Sequence, residues 1–180
     1  MSQQSEKRVE DLDVPLERDG FLRDVLRHLS GALQEVIGLE ESSGFISLVG
    51  QKIGDDLNRH YRRAFGLPRL NREQVAAVLV DLKRRIQGQF EVVSQDDGKI
   101  VLHASACPFG DKVLGRSSLC MMTSSVFGTL VADNLGYAKV ALEETIARGA
   151  PGCRIVVYLA ESDASVLDAA SAAGVEYFKG

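Results

Sequence analysis

The sequence predicts an α+β fold in which an antiparallel sheet of two hairpins packs against about four helices. Three observations predict it. Apolar residues recur at helical spacing through the first half of the chain. Two pairs of short apolar segments follow, each pair joined across a turn signal, and an uncharged helical stretch separates the pairs. Consecutive hairpins make neighbouring strands antiparallel and leave the helices to cover one face.

Each element has its own local signal. From Pro15, the residues Leu22, Val25, Leu26, Leu29, Leu33, Val36 and Ile37 form an amphipathic stripe, and Gly38 is its expected stop. A second helix is expected from about Gly44 to Phe65, with Ile46, Val49, Ile53, Leu57 and Tyr61 on one side. Gly50 and Gly54 fall on that same side, where each costs about 1 kcal/mol against Ala. They imply either close helix packing or space kept for a ligand. Leu67-Pro68 ends this helix, and Asn71 with Gln74 has the spacing of a capping box. Val75, Val78, Leu79, Leu82 and Ile86 then mark a third helix that Gly88 stops.

Phe90 to Ser94 and Lys99 to Ser105, joined through Asp96-Asp97-Gly98, read as the first hairpin. The uncharged run from Ser117 to Ala132 is apolar around most of its circumference, which predicts a central, buried helix with Ser117 or Ser118 as its N-cap. Tyr137 to Ile146 and Cys153 to Leu159 form the second hairpin. The stretch from Ser162 adds a short helix and a last strand, Val175 to Phe178. The expected organisation is a tail over residues 1–14, one domain over 15–160 and a C-terminal extension over 161–180 that packs on it.

The bulk numbers exclude more than they assign. The 180 residues are 45% hydrophobic and 26% charged, which excludes wholesale disorder. A formal net charge of −4 argues against a nucleic-acid partner. Ser117 to Ala132 is too short and too polar to span a bilayer, and Met1 to Val14 lacks the apolar core of a leader. A cytoplasmic location is therefore expected, where thiols stay reduced.

Three cysteines are an odd number with no Cys-x-x-Cys. Cys107 follows the first hairpin, and Pro108 turns the chain away behind it. Cys120 lies in the first turn of the buried helix, where the helix dipole is expected to favour its thiolate. Cys153 opens the last strand of the second hairpin. All three sit at element ends, so they are either ordinary buried thiols or the ligands of one thiolate metal site. Two side chains are candidates for a fourth ligand. Glu144 alternates onto the apolar face of Ala138, Val140 and Leu142, unless a bulge exposes it, and His103 precedes Cys107 by four residues. Catalytic signatures such as a nucleophile elbow or a phosphate loop are absent from the sequence.

Several short motifs carry a family resemblance. Val49-Gly50-Gln51-Lys52-Ile53-Gly54, with Gly149 and Cys153 far downstream, resembles the 4-vinyl reductase type of domain. Cys107-Pro108-Phe109-Gly110, Leu119-Cys120-Met121-Met122-Thr123-Ser124 and Gly136-Tyr137-Ala138-Lys139-Val140 resemble the methanogen output domain group. The resemblance spans about Phe45 to Leu159. It implies a sensory or output module that binds a small, often apolar molecule between helices and sheet. In the phenol-sensing relatives it also implies a zinc held by cysteines and a Glu beside the pocket. Cys120 and Cys153 match two of those cysteines, a third position is Thr145 here, and the Glu position is Leu142, so Cys107 would have to supply a replacement. Zinc and an iron–sulfur cluster both suit such thiolates. The residues expected to line the pocket are Phe45, Gly50, Gly54, Tyr61, Phe65, Phe109, Phe127 and Tyr137.

The sequence thus leads to a cytoplasmic, non-catalytic sensor that binds a small apolar ligand, carries a cysteine metal site and signals in trans to a protein partner, as a homodimer. Two alternatives stay open. One is an enzyme or redox protein that uses Cys107 or Cys120, and the other is an assembly module built on Gly50 and Gly54.

Overall fold

The computed structural model describes residues 8–9, 13–161 and 175–179. Three helices and five strands follow in the order α1 (Arg18–Phe65), α2 (Arg72–Arg85), β1 (Gln89–Gln95), β2 (Lys99–Ala106), α3 (Cys120–Leu135), β3 (Tyr137–Glu144), β4 (Cys153–Tyr158) and β5 (Val175–Lys179). The expected tail and the helix expected after Ser162 lie almost wholly outside the described residues.

The two expected N-terminal helices are one long element broken at Gly38, whose φ of 86° and ψ of 170° are non-helical. A positive φ of that kind is available to Gly and strained for other residues. The break changes the direction of the chain. In a straight helix Leu26 and Val49 would stand roughly 35 Å apart, yet both line one cavity. The first segment packs on the body through small and polar residues, not through the apolar stripe that the sequence suggests. Ser30 and Gly31 are its buried residues, with the Arg116 guanidinium against Gly31, whereas Val25, Leu29 and Val36 are exposed.

At the end of α1, Gly66 in the left-handed region returns hydrogen bonds to Arg62 and Arg63, and α2 opens with the expected capping box. Asn71 Oδ1 accepts from Gln74 N at 2.9 Å and Gln74 Oε1 accepts from Asn71 N at 2.9 Å. Two orphan amides are satisfied by that exchange. The β1–β2 turn is held by Asp96, whose carboxylate accepts from Gly98 N and Lys99 N.

The sheet is antiparallel throughout, in the order β1-β2-β4-β3-β5. Ile100 and Leu102 of β2, Val140 and Leu142 of β3, and Ile155 and Val157 of β4 point to the helices and form the main core with Val75, Leu79, Phe127 and Leu130. The opposite face carries a smaller cluster of Val101, Ala141 and Val156. The architecture is therefore the expected mixed helix and antiparallel-sheet arrangement, with the fifth strand on the β3 edge.

Helix α3 lies between the sheet and α1. Its sides are buried almost all round from Ser124 to Ala132, as the uncharged run ending at Ala132 requires. It begins at Cys120 after a short 3-10 turn over Ser117–Leu119. Ser118 does not cap it, because its hydroxyl donates to Gln34 Oε1 at 3.1 Å. Gly50 and Gly54 are contact points of α1 on α3. A methyl group on Gly50 would stand 2.7 Å from Ser125 Cβ, and one on Gly54 would stand 2.9 Å from Thr129 Cβ. A polar lock closes the far end. Asn134 accepts from Leu70 N (2.9 Å) and Arg62 Nε (3.0 Å) and donates to Asn58 Oδ1 (2.8 Å), all in the interior between α1, α3 and the turn before α2.

Candidate functional site

The break at Gly38 and the end of α2 together border an apolar cavity of about 670 Å³ that is open to solvent, with Leu22, Val49, Ile53 and Ile86 of its wall exposed. Leu22 and Leu26 come from the first segment of α1, and Val49, Ile53, Leu57 and Tyr61 from the second. Leu82, Lys83 and Ile86 come from α2, Pro108 and Phe109 from the segment after β2, and Met122 and Val126 from α3. Gly88 lets that segment approach, since a methyl group there would stand 2.9 Å from the Pro108 ring. The volume is within the range of small-molecule sites, roughly 300–1,000 Å³.

The polar groups around this cavity are mostly paired. Arg23 bonds Asp19 and donates to Gln87 Oε1 at 3.2 Å. Arg85 donates to Asp81 Oδ2 at 2.6 Å, and Tyr61 OH donates to the same oxygen at 2.7 Å. These donors, with Arg84, hold the Asp81 carboxyl well below the usual carboxylate range. Burial, and then the bond to Asp81, push the Tyr61 phenol up to about 12.

Lys83 is different. Its side chain is 4% exposed, and its ammonium donates to Thr123 Oγ1 at 2.7 Å and sits over the rings of Phe127 (5.2 Å) and Phe90 (5.3 Å). Among the described residues, no carboxylate forms a salt bridge with it. Burial lowers it from 10.5 to about 8, against a smaller opposing influence from the three cysteines.

Those cysteines meet on the other side of Pro108 and Phe109. Cys107, Cys120 and Cys153 line a second, small apolar cavity of about 30 Å³, room for about one water, together with Thr123, Leu142 and Thr145. The Cys153 sulfur accepts from Ile146 N at 3.3 Å. Burial pushes the Cys120 thiol up to about 12 and also raises Cys107, which the neighbouring Phe109 amide and Lys83 offset only in part. The expectation that the helix dipole would ionise Cys120 is therefore corrected, because desolvation outweighs the dipole here. Burial thus favours the neutral form of both thiols over the thiolate.

The four positions matched to the phenol-sensor zinc ligands, Leu142, Thr145, Cys120 and Cys153, all line this one cavity. Two of them carry side chains that do not bind zinc as thiolates or carboxylates do, and Cys107 adds only a third thiol. Neither proposed fourth ligand reaches the cavity. A bulge between Leu142 and Glu144 takes Glu144 out of the alternation and leaves it exposed opposite Arg154. His103 alternates onto the outer face of β2, with Nδ1 3.4 Å from Glu91 Oε1. Among the described residues no group of three or more His, Cys, Asp or Glu side chains is placed to hold a metal ion. The donor set does not fit the implied zinc.

The expected pocket residues divide similarly. Tyr61 and Phe109 line the large cavity. Gly50 and Gly54 serve helix packing, and Phe127 is fully buried in the core, edge-on to Phe90 at 6.0 Å. Phe45 and Phe65 are exposed, and Tyr137 is half-buried at the start of β3. The residue that the sequence reading missed is Lys83. Its signal was present: Lys83 stands four residues after Leu79 and seven after Ala76, in phase with the buried face of α2.

The family model for methanogen output domain 1 matches residues 25–158. The chain belongs to that family. This agrees with the resemblance carried by the Cys107-Pro108-Phe109-Gly110 and Leu119 to Ser124 motifs, and the matched span contains both cavities except for Asp19, Leu22 and Arg23. No curated protein matches this methanogen output domain. Among solved structures it is similar to a trafficking protein particle complex subunit 3 from Naegleria fowleri, covalently bound to palmitic acid, with a TM-score of 0.56 and 14% identity over 78% of this chain and 96% of that one. That likeness extends to the fold. No helix among the described residues of the output domain is long and apolar enough to cross a membrane.

Proposed function

We propose that this chain is a sensory or regulatory module of the cytoplasm, with the 670 Å³ cavity between α1, α2 and α3 as its ligand site. The observation that carries the reading is an apolar cavity walled by both segments of α1. A ligand there contacts Leu22 and Leu26 on one segment and Val49, Ile53 and Leu57 on the other, so its presence changes how strongly the first segment is held. Val25, Leu29 and Val36 lie exposed on that same first segment, a surface for a protein partner or a second copy to read in trans. Membership of an output-domain family supports a regulatory role, and the palmitic acid named with the fold neighbour supports apolar occupancy of such a fold.

Titration with an environment-sensitive apolar dye tests the reading. One dye is expected to bind per chain, and Leu57→Trp, which narrows the cavity between the two segments of α1 and α2, is expected to weaken it. A dye that binds the narrowed variant as tightly as the original chain would sink the proposal.

A second reading gives the three thiols a metal, zinc or an iron–sulfur cluster. Their convergence on one cavity favours it, and the leucine and threonine at the other two matched positions oppose it. Metal analysis and an absorption spectrum of anaerobically purified protein separate the two readings. One equivalent of zinc, or a visible cluster band lost in Cys120→Ala, would establish the second.

A further inference from the structure

The first segment of α1, residues 18–37, packs on the body by its polar side. Asp24 pairs with Lys112, Arg27 donates to the carbonyls of Lys112 and Leu114, Arg116 lies against Gly31, and Gln34 accepts from Ser118. Those contacts recur along the helix at spacings of three, four and three. Leu22, Val25, Leu29, Ala32 and Val36 form a second stripe of the same kind, centred roughly 150° further round the helix. It points away from the body. All five of its residues are exposed, Val36 to 80%. Scattered exposed apolar side chains are ordinary. Alternating spacings of three and four, however, make the seam of a coiled coil, which needs a second helix of the same period to cover it.

We propose that this seam pairs with the same seam of a second copy of the chain, running antiparallel. The residues beside the seam select both the copy and the direction. Setting Val25 against Val36 of the second copy also sets Leu29 against Ala32, Leu26 against Leu33, and His28 against Glu35, each twice by symmetry. Every layer is then apolar, a large side chain meets a small one at the centre, and each imidazole meets a carboxylate. His28 and Glu35 are both exposed in the single chain and available for this contact. A parallel pairing instead stacks Ala32 on Ala32, which underfills the centre, and puts His28 against Leu33. The inference rests on the exposed face of the first segment being the surface read in trans, and not on what occupies the cavity.

Light scattering on the full chain over a dilution series tests the inference, with circular dichroism to show that each variant keeps its fold. The original chain is expected to show the mass of two chains, and Val25→Glu and Leu29→Glu the mass of one. His28→Glu, which sets two carboxylates against two others, is expected to loosen the dimer about fivefold. Adding Glu35→Lys to it is expected to restore the original affinity. These last two changes lie on the exposed surface, so they test the pairing even if a glutamate in the seam disturbs the helix. A chain that stays monomeric throughout would overturn the inference. So would a dimer that folded Val25→Glu and Leu29→Glu both leave intact, or one that His28→Glu does not weaken. Dye binding by the Val25→Glu chain reads the cavity separately, because Val25 is not in its wall.

Discussion

Lys83→Met is expected to make the ligand-free protein more stable. The gap between 10.5 and about 8, at about 1.4 kcal/mol per pH unit, means that holding the charged form inside costs roughly 3 kcal/mol at neutral pH. Met is similar in length, apolar and adaptable, so it removes that cost without opening a cavity. Against this stand the lost bond to Thr123, about 1 kcal/mol, and the cation–π contacts with Phe90 and Phe127, about 1 kcal/mol or less together once solvation is counted. The net gain is on the order of 1–2 kcal/mol, which for a chain of this size raises Tm by roughly 2–8 °C. The pH dependence supplies a second signature. Below pH 8 the lysine is protonated in both folded and unfolded states and its cost is fully present. As pH rises past 8 the folded state releases its proton first, so stability increases, by about 1.4 kcal/mol at pH 9. Chemical denaturation of both proteins, dialysed free of small molecules, at a series of pH values from 7 to 9 measures both effects. If Lys83→Met lost more than about 1 kcal/mol, or if the original chain showed no rise in stability relative to Lys83→Met between pH 8 and 9, the ammonium must be paired within the fold and the reasoning fails.

Cys120 and Tyr61 act in the opposite direction. Each has a folded value raised to about 12, so the unfolded chain gives up these protons first and stability falls as pH climbs from about 9 to 12. Cys120→Ala should flatten the lower part of that fall in a plot of Tm against pH. Asn134→Ala strands the buried Leu70 amide and Asn58, and a loss of about 2–4 kcal/mol is expected in urea unfolding. Asn71→Ala removes only the cap of α2 and should cost about 1 kcal/mol by the same measurement. Gly54→Val drives a side chain into Thr129 at the α1–α3 contact. A clear drop in Tm is expected there, whereas Gly44→Ala, which meets nothing within 4 Å, should be neutral or slightly stabilising.

Much of the scaffold was legible because its causes are local. The Asn71–Gln74 box, the Asp96 turn and the all-round apolar α3 depend on groups a few residues apart, and each formed as its sequence implies. The two glycines on the apolar side of α1 marked a close contact, though only the fold shows that the neighbour is α3. Site features were less legible because they depend on what arrives from elsewhere. Glu144 obeyed the alternation of β3 on paper, and one bulge moved it into solvent. Cys120 stands at a helix start, yet its protonation is governed by the low-dielectric surroundings that other elements build around it.

By itself, the sequence determined the fold class, the family motifs and the placing of three thiols at element ends, since hydrogen-bonded turns, caps and apolar periodicity act over short stretches of chain. The tertiary structure decided the rest. The turn at Gly38 folds α1 back into a cavity wall, Cys107, Cys120 and Cys153 meet at one small cavity, and the Lys83 ammonium is buried on Thr123 between Phe90 and Phe127. Cavity shape and the energy of a buried charge are set by every group that surrounds them, and those groups are neighbours in space, not in sequence.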